Sequence, residues 1–273
     1  RIALERMTAL AERIASYFDS DISIHATTDR REALERASFA ITAVARERMR
    51  LWEQDYRIPN AYGCDQILGE NGGPGAVFHA LRSFHQIMPI CRDMEELCPD
   101  ALFLNFTNPE ARVLHAVSHL TSLRAVGICH GVANGIDFIA RMLNRDSNEF
   151  EVTSAGVNHF YAFLQVIDRT TGADILDEVK RAALEYEGSP PLFRRMLEIF
   201  DVFSFPSDDH MGEYLAFGNE YHGRKWHYGV ESSTLDETGR DSTATNGLTI
   251  EDIDKYARGE FAIDDRICAP SGE

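Results

Sequence analysis

Ala101-Leu-Phe-Leu-Asn-Phe-Thr-Asn-Pro109 decides the fold, because a short apolar run gives way there to a polar cluster and a proline. The run from Ala101 to Phe106 has the length and composition of a buried strand. Asn108 is a good helix N-cap, Pro109 a good first helical residue, and Glu110 suits the positive end of a helix. A helix is therefore predicted from Pro109 to His119. Downstream the alternation repeats, with a strand from Arg124 to Cys129, a helix from Gly131 to Leu143 and a strand from Val152 to Val157. Upstream, Asp21 to Ala26 alternates like a strand, with Ile22, Ile24 and Ala26 on one face, Thr27-Thr28-Asp29 offers helix caps, and Phe39 to Val44 reads as a buried strand. A helix over Ala45 to Trp52, a loop over Tyr56 to Gly63 and the Gly69 to Gly75 loop lead to a helix ending at Cys98. Strands alternating with helices predict an α/β fold with a doubly wound, mostly parallel sheet.

The chain opens on Arg1 inside an amphipathic helix marked by Ile2, Met7, Leu10, Ala11, Ile14 and Phe18. A strand before that helix is expected to be missing, so the sheet is read as N-terminally truncated. After about Asn158 the pattern changes to a hairpin-like stretch from Phe160 to Ile167, followed by helices from Ala173 to Tyr186 and from Pro191 to Ile199. Residues 1–150 are expected to form one domain and residues 151–273 a second, incomplete at its C-terminal end. Ser232 to Asn246, rich in Ser, Thr, Gly and charge, reads as a loop.

With 273 residues, 44% hydrophobic and 26% charged, the chain can bury a sizeable core. Its 44 acids against 27 bases give a net charge of −17, which repels phosphate backbones and anionic lipid surfaces. Nucleic-acid and membrane partners are not expected. No apolar stretch approaches a bilayer span and no leader-type segment is read, so the chain is expected to be cytoplasmic. Cys64, Cys91, Cys98, Cys129 and Cys268 lack CxxC spacing, which argues against a disulfide framework or a self-contained zinc module.

Three polar clusters close three successive strands, around Asn105 to Asn108, Cys129 and His159. In an open α/β sheet that edge is where ligands bind. Thiolate plus imidazole is a ligand set for a borderline transition metal, and two ligands leave open positions for substrate oxygens. Cys129 alone reads equally as a small buried hydrophobe and His159 alone as a satisfied core histidine. Gly69-Glu-Asn-Gly-Gly-Pro-Gly75 could offer amides to a phosphate or be a flexible loop, and it holds the Glu70 carboxylate among glycines. Pro206-Ser-Asp-Asp-His-Met-Gly-Glu-Tyr214 could be a capped turn or could supply a general base.

Asn105-Phe-Thr-Asn-Pro109, Gly127-Ile-Cys-His-Gly131, Gly156-Val-Asn-His159, Gly69 to Gly75 with Leu81-Arg82, and Asp209-His-Met-Gly-Glu-Tyr214 together resemble glycoside hydrolase family 4 in order and spacing. That family is the NAD-dependent exception to two-carboxylate glycoside hydrolysis. The resemblance implies a lactate-dehydrogenase-like Rossmann domain, a C-terminal α+β substrate domain, and NAD and Mn(2+) as cofactors. It implies a reaction in which hydride leaves carbon 3 of the sugar, a base takes the carbon 2 hydrogen, the aglycone is eliminated, water adds and the hydride returns. Carried over by position, Cys129 and His159 are the metal ligands, Asn108 and His210 bind substrate, and Asn105 and Thr107 lie at the cofactor. Asp209 is the base, with Asp208 and Tyr214 as alternatives, Glu70 supports it, and His130 helps the leaving group depart.

His130 follows the metal cysteine where phospho-sugar members often carry Asp or Asn, which implies unphosphorylated α-hexosides or α-hexuronides as substrates. The sugar itself is left open among galactoside, glucoside, glucuronide and galacturonide. Arg224 and Lys225 read as a solvated basic turn or as partners of a uronate carboxylate. The family's glycine-rich turn and its ribose-binding acid are absent from the residues given, so NAD affinity is expected to suffer. A homo-oligomer is implied by resemblance alone. Two other readings stay open, an NAD-dependent 2-hydroxy-acid dehydrogenase and an inactive sugar-binding remnant.

Overall fold

A computed structural model of the chain describes residues 2–222, 250–264 and 267. The expected loop over 232–246, the Arg224–Lys225 pair and Cys268 lie outside those residues. Three short strands, β1 (Phe39–Thr42), β2 (Leu102–Asn105) and β3 (Arg124–Gly127), form a parallel sheet in the order β1-β2-β3. Their register aligns Thr42 with Asn105 and Asn105 with Gly127, so the three strands end level along one edge. Parallel neighbours require crossovers. Helices α3 (Arg48–Ala61) and α4 (Gly73–Leu97) carry the chain from β1 to β2, and α5 (Glu110–Leu120) carries it from β2 to β3. The α/β, mostly parallel class read from the sequence is the class observed.

Alternation along the strands separates the two sides of this sheet. Ala40 and Phe103 face a core built with Ile87, Cys91 and Met94 of α4 and Val113 and Val117 of α5. Phe39 and Ile41 on the opposite side remain 65% and 66% exposed. Before the sheet lie α1 (Ile2–Tyr17) and α2 (Arg30–Leu34), the latter capped by Asp29, whose side chain accepts from the Arg31 and Glu32 amides. The alternating segment 21–26 forms no strand, and Ile22 stays exposed, because none of the described strands lies beside it to pair with.

The helix expected to stop at Trp52 runs on to Ala61 and absorbs the predicted loop, with Pro59 inside it. Proline cannot return a hydrogen bond to Asp55 O. The Gln66 amide replaces it, its Nε2 donating to Asp55 O while its Oε1 accepts from the Gly75 amide at 3.2 Å. Gln66→Ala would strand two buried backbone groups and is expected to lower unfolding free energy by about 1–3 kcal/mol in urea titrations. The Gly69–Gly75 segment is packed rather than loose: Gly69 and Gly73 hold φ of +69° and +71°, and a Cβ at Gly72 would lie 2.1 Å from Glu213 O.

Past β3, α6 (Gly131–Leu143) and a one-turn 3₁₀ segment (Ser147–Glu149) lead to β4 (Phe150–Val157) and β5 (Phe160–Asp168). β4 was expected beside the parallel strands; it pairs antiparallel with β5, since the two residues between them allow a hairpin and no crossover. This hairpin, α6, α7 (Leu176–Glu185), α8 (Pro191–Phe200) and α9 (Asp208–Gly212) share a second core containing Phe138, Phe163, Val166, Phe193 and Phe203. α6 thus packs its apolar face with the later elements. Helix α10 (Gly218–His222) follows, and α11 (Ile250–Arg258) packs on α1 through Leu10, Tyr256 and Ile253. No helix among the described residues is long and apolar enough to cross a membrane.

Candidate active site

Cys129 sits two residues beyond the level edge of the sheet, and His159 occupies the turn of the β4–β5 hairpin. The two cores bring them together: Cys129 Sγ lies 3.3 Å from His159 Nε2. Bonds of about 2.3 Å to sulfur and about 2.1 Å to nitrogen, meeting near a right angle, span such a gap. Burial first, and then the neighbouring His210, push the His159 imidazole down to about 4, so it is neutral at pH 7. Burial raises the Cys129 thiol, partly offset by the backbone N–H groups of Gly131 and His130. An ion would have to displace that thiol proton.

The donor set fits a metal. Ligating atoms of Glu70, His159 and His210 all lie within 4.8 Å of one another. His159 Nδ1 meets Asn71 Nδ2 at 3.3 Å, while Asn71 Oδ1 is buried without a partner. Turning that amide over would let Oδ1 accept from His159 Nδ1–H, the tautomer that leaves Nε2 to bind an ion.

Glu70, 2% exposed, takes hydrogen bonds from Arg48 and from Asn108 Nδ2 at 2.9 Å. Burial pushes its carboxyl up, but the Arg48 guanidinium outweighs that by charge and by hydrogen bond and holds it below the usual carboxylate value. Asn108 was expected to cap α5. Its side chain goes to the Glu70 carboxylate instead, an ionised acceptor stronger than an amide contact, and Pro109 takes the cap position. Asn105 and Thr107, expected at a cofactor, are both buried and turned inward: Thr42 Oγ1 donates to Asn105 Oδ1 at 3.1 Å and the Val44 amide to Thr107 Oγ1 at 3.0 Å. They tie the ends of β1 and β2 together.

The segment after Pro206 divides its acids by task. Asp208 Oδ2 and Oδ1 accept from the Leu192 and Phe193 amides at 2.9 and 3.0 Å, which makes it a cap for α8. Asp209 instead lies against His210, whose Nδ1 is 2.7 Å from its Oδ1, and it also accepts from Ser207 Oγ. Burial works against the charge on Asp209, but His210 and Ser207 hold it well below the usual carboxylate range. The His210 ring packs edge-on to His159, their centroids 4.5 Å apart. Tyr214 donates its hydroxyl to Asn158 O, and burial raises it to about 12, so it is a locked donor. His130 is exposed at the start of α6 and does not line the cleft that borders Cys129.

A family model for Family 4 glycosyl hydrolase matches residues 2–145. The chain belongs to glycosyl hydrolase family 4. Curated relatives include an alpha-glucosidase of Erwinia rhapontici, 31% identical over 258 residues, covering 78% of this chain and 57% of the relative. An alpha-galactosidase of Bacillus subtilis is 30% identical, covering 78% of this chain and 50% of the relative. Among solved structures, a 6-phospho-alpha-glucosidase from gut microorganisms in complex with NAD and Mn2+ superposes with a TM-score of 0.66 at 23% identity, covering 85% of this chain and 53% of that one. The chain spans about half the length of the relatives it matches.

Three residues of this family 4 site escape a reading of the sequence. Arg48 was only part of a helix, and Asn71 only part of a glycine loop. Glu213 was read merely as a member of a motif, yet its carboxylate accepts from the Glu70 and Asn71 amides at 2.7 and 2.9 Å. It occupies the amide cradle that the glycine loop seemed to offer to a phosphate. No local pattern signals these pairings, which join positions more than 140 residues apart. Burial, then Glu70, raise Glu213 to about 7, above its unfolded value. A carboxyl raised on folding contributes stability that is present below its unfolded value and lost as pH rises to the folded one. Stability should therefore fall between about pH 4.5 and 7 by roughly 3 kcal/mol at most from this group. Urea midpoints of Glu213→Gln across that range should lack this part of the slope.

Proposed function

We propose that the protein is a glycosidase acting on unphosphorylated α-hexosides or α-hexuronides, assisted by NAD and Mn2+. The observation that carries this reading is the 3.3 Å approach of Cys129 Sγ to His159 Nε2, beside the Asp209–His210 pair and the buried Glu70. Cys129 and His159 would hold the ion. When bound, manganese supplies Lewis acidity to sugar oxygens and NAD supplies reversible hydride storage at carbon 3. Asp209 removes the proton on carbon 2, kept ionised by His210 and Ser207 at the pH of the reaction. Glu70, fixed by Arg48 and Asn108, sets the negative potential that His210 faces. Asn108 can reach a sugar hydroxyl from the same strand end, and His130, exposed at the start of α6, would assist the leaving group only from outside this cluster.

Residues up to about 150 form the nucleotide-binding part in this reading and the rest the substrate part, with the metal pair straddling the two. Asn105 and Thr107 serve the cofactor by shaping the strand ends. A homo-oligomer in the cytoplasm belongs to the same reading. The test is incubation with 4-nitrophenyl α-glycosides, NAD and MnCl2 in deuterated water. Deuterium at carbon 2 of the released sugar supports the elimination route, and cleavage without it refutes that route. NADH release without cleavage points to a hydroxy-acid dehydrogenase.

A further inference from the structure

The first turn of α5 carries a buried acid that no described residue satisfies. Glu110 is 6% exposed, and its carboxyl makes no hydrogen bond or ion pair among the described residues. It lies against Gly127: a Cβ added there would meet Glu110 Oε1 at 1.3 Å, so only a glycine in β3 leaves room for the carboxyl. The same acid lines a cleft of about 620 Å³ together with Cys129, Asn158, Leu114 and Val132. Burying a carboxyl unmatched costs stability, and a cleft of this size is typical of small-molecule sites.

We propose that Glu110 binds an uncharged, hydroxyl-bearing part of the ligand on the α5 side of Cys129 and selects against anionic substituents, which narrows the substrates to neutral hexosides. This rests on the glycosidase reading above. A hydroxyl donates to the Glu110 carboxyl. A phosphate or carboxylate only accepts and is repelled by Glu110. A sugar with unmodified hydroxyls satisfies it.

The test is isothermal titration of the protein, with MnCl2 and NAD present, against methyl α-D-glucopyranoside, methyl α-D-galactopyranoside and glucose 6-phosphate. At least one neutral hexoside should bind more tightly than the phosphate. Glu110→Ala should weaken that hexoside about tenfold or more, the loss of one hydrogen bond to a buried acid. Glu110→Gln should largely keep the hexoside and tighten glucose 6-phosphate, while Gly127→Ala, which displaces the carboxyl, should behave as Glu110→Ala does. Both Glu110 variants should unfold at the same or higher urea concentration, the opposite of what loss of a structural contact would do.

Unchanged hexoside affinity in Glu110→Ala overturns the proposal, as does a parent protein that prefers the phosphate or binds neither hexoside. Mn2+ titration of the same samples, read by electron paramagnetic resonance, separates the two readings. Protein that takes no manganese counts against the glycosidase mechanism; protein that takes it, but whose sugar affinity ignores Glu110, counts against this inference alone.

Discussion

His159→Ala is expected to abolish measurable Mn2+ binding at micromolar protein. Loss of a hydrogen-bond partner behind a metal ligand already costs about 10–100-fold in affinity, so loss of the ligand itself should exceed about 100-fold. The imidazole is well suited to the role: it is buried, neutral at pH 7 and aims Nε2 at Cys129 Sγ 3.3 Å away. The raised Cys129 thiol makes affinity climb with pH through the neutral range, because the thiol proton must leave when the ion arrives. Thermal unfolding gives an independent reading. A hundredfold excess of Mn2+ over its dissociation constant should stabilise the parent by about 2.7 kcal/mol and leave the variant unmoved. A variant that keeps its manganese-dependent rise in Tm would remove His159 from the ligand set.

Asp209→Asn should lower turnover of an α-glycoside by about 10²–10⁴-fold, the usual worth of a positioned general base. Mn2+ affinity should fall by no more than about 10–100-fold, less than in His159→Ala, since Asp209 touches the cluster of Glu70, His159 and His210 only through its hydrogen bond to His210. The pH profile is diagnostic as well. Asp209 is held well below the usual carboxylate range, so no acid limb near pH 4 to 5 should come from it. Exchange of the carbon 2 hydrogen with solvent, followed by NMR, isolates the step. Exchange that persists at the parent rate in Asp209→Asn would move the base to another residue. Asp208 is a poor substitute because it caps α8, and Tyr214 is a poor one because its hydroxyl is committed to Asn158 O.

Local chemistry is what the sequence made readable. α6 was predicted from Gly131 to Leu143 and has those bounds, because a glycine start and a regular apolar stripe leave little choice. α8 starts at Pro191, a residue suited to a first turn. Pairing was less readable. The alternation of residues 21–26 suggested a strand, but a strand exists only beside a partner, and β4 looked like its parallel predecessors until the shortness of the Asn158–His159 turn forced a hairpin. α3 ran past its predicted end because Gln66, seven residues beyond Pro59, supplies the missing bond to Asp55 O. In the site, the cysteine and histidine announced themselves as residue types. The groups that hold the site in shape, Arg48 on Glu70 and Glu213 under the glycine segment, are ordinary charges whose meaning lies in distant neighbours.

Phe39 and Ile41, on the same face of β1, lay an apolar strip along the described part of the sheet. β1 also has only one strand neighbour among the described residues, so its outer backbone amides and carbonyls sit next to that oily strip. Such a combination is a template for one more strand, from elsewhere in the protein or, in the 273-residue chain alone, from another copy. Recovery of native material after dilution from urea should therefore drop as protein concentration climbs, and Phe39→Lys with Ile41→Thr should rescue the yield without altering manganese uptake.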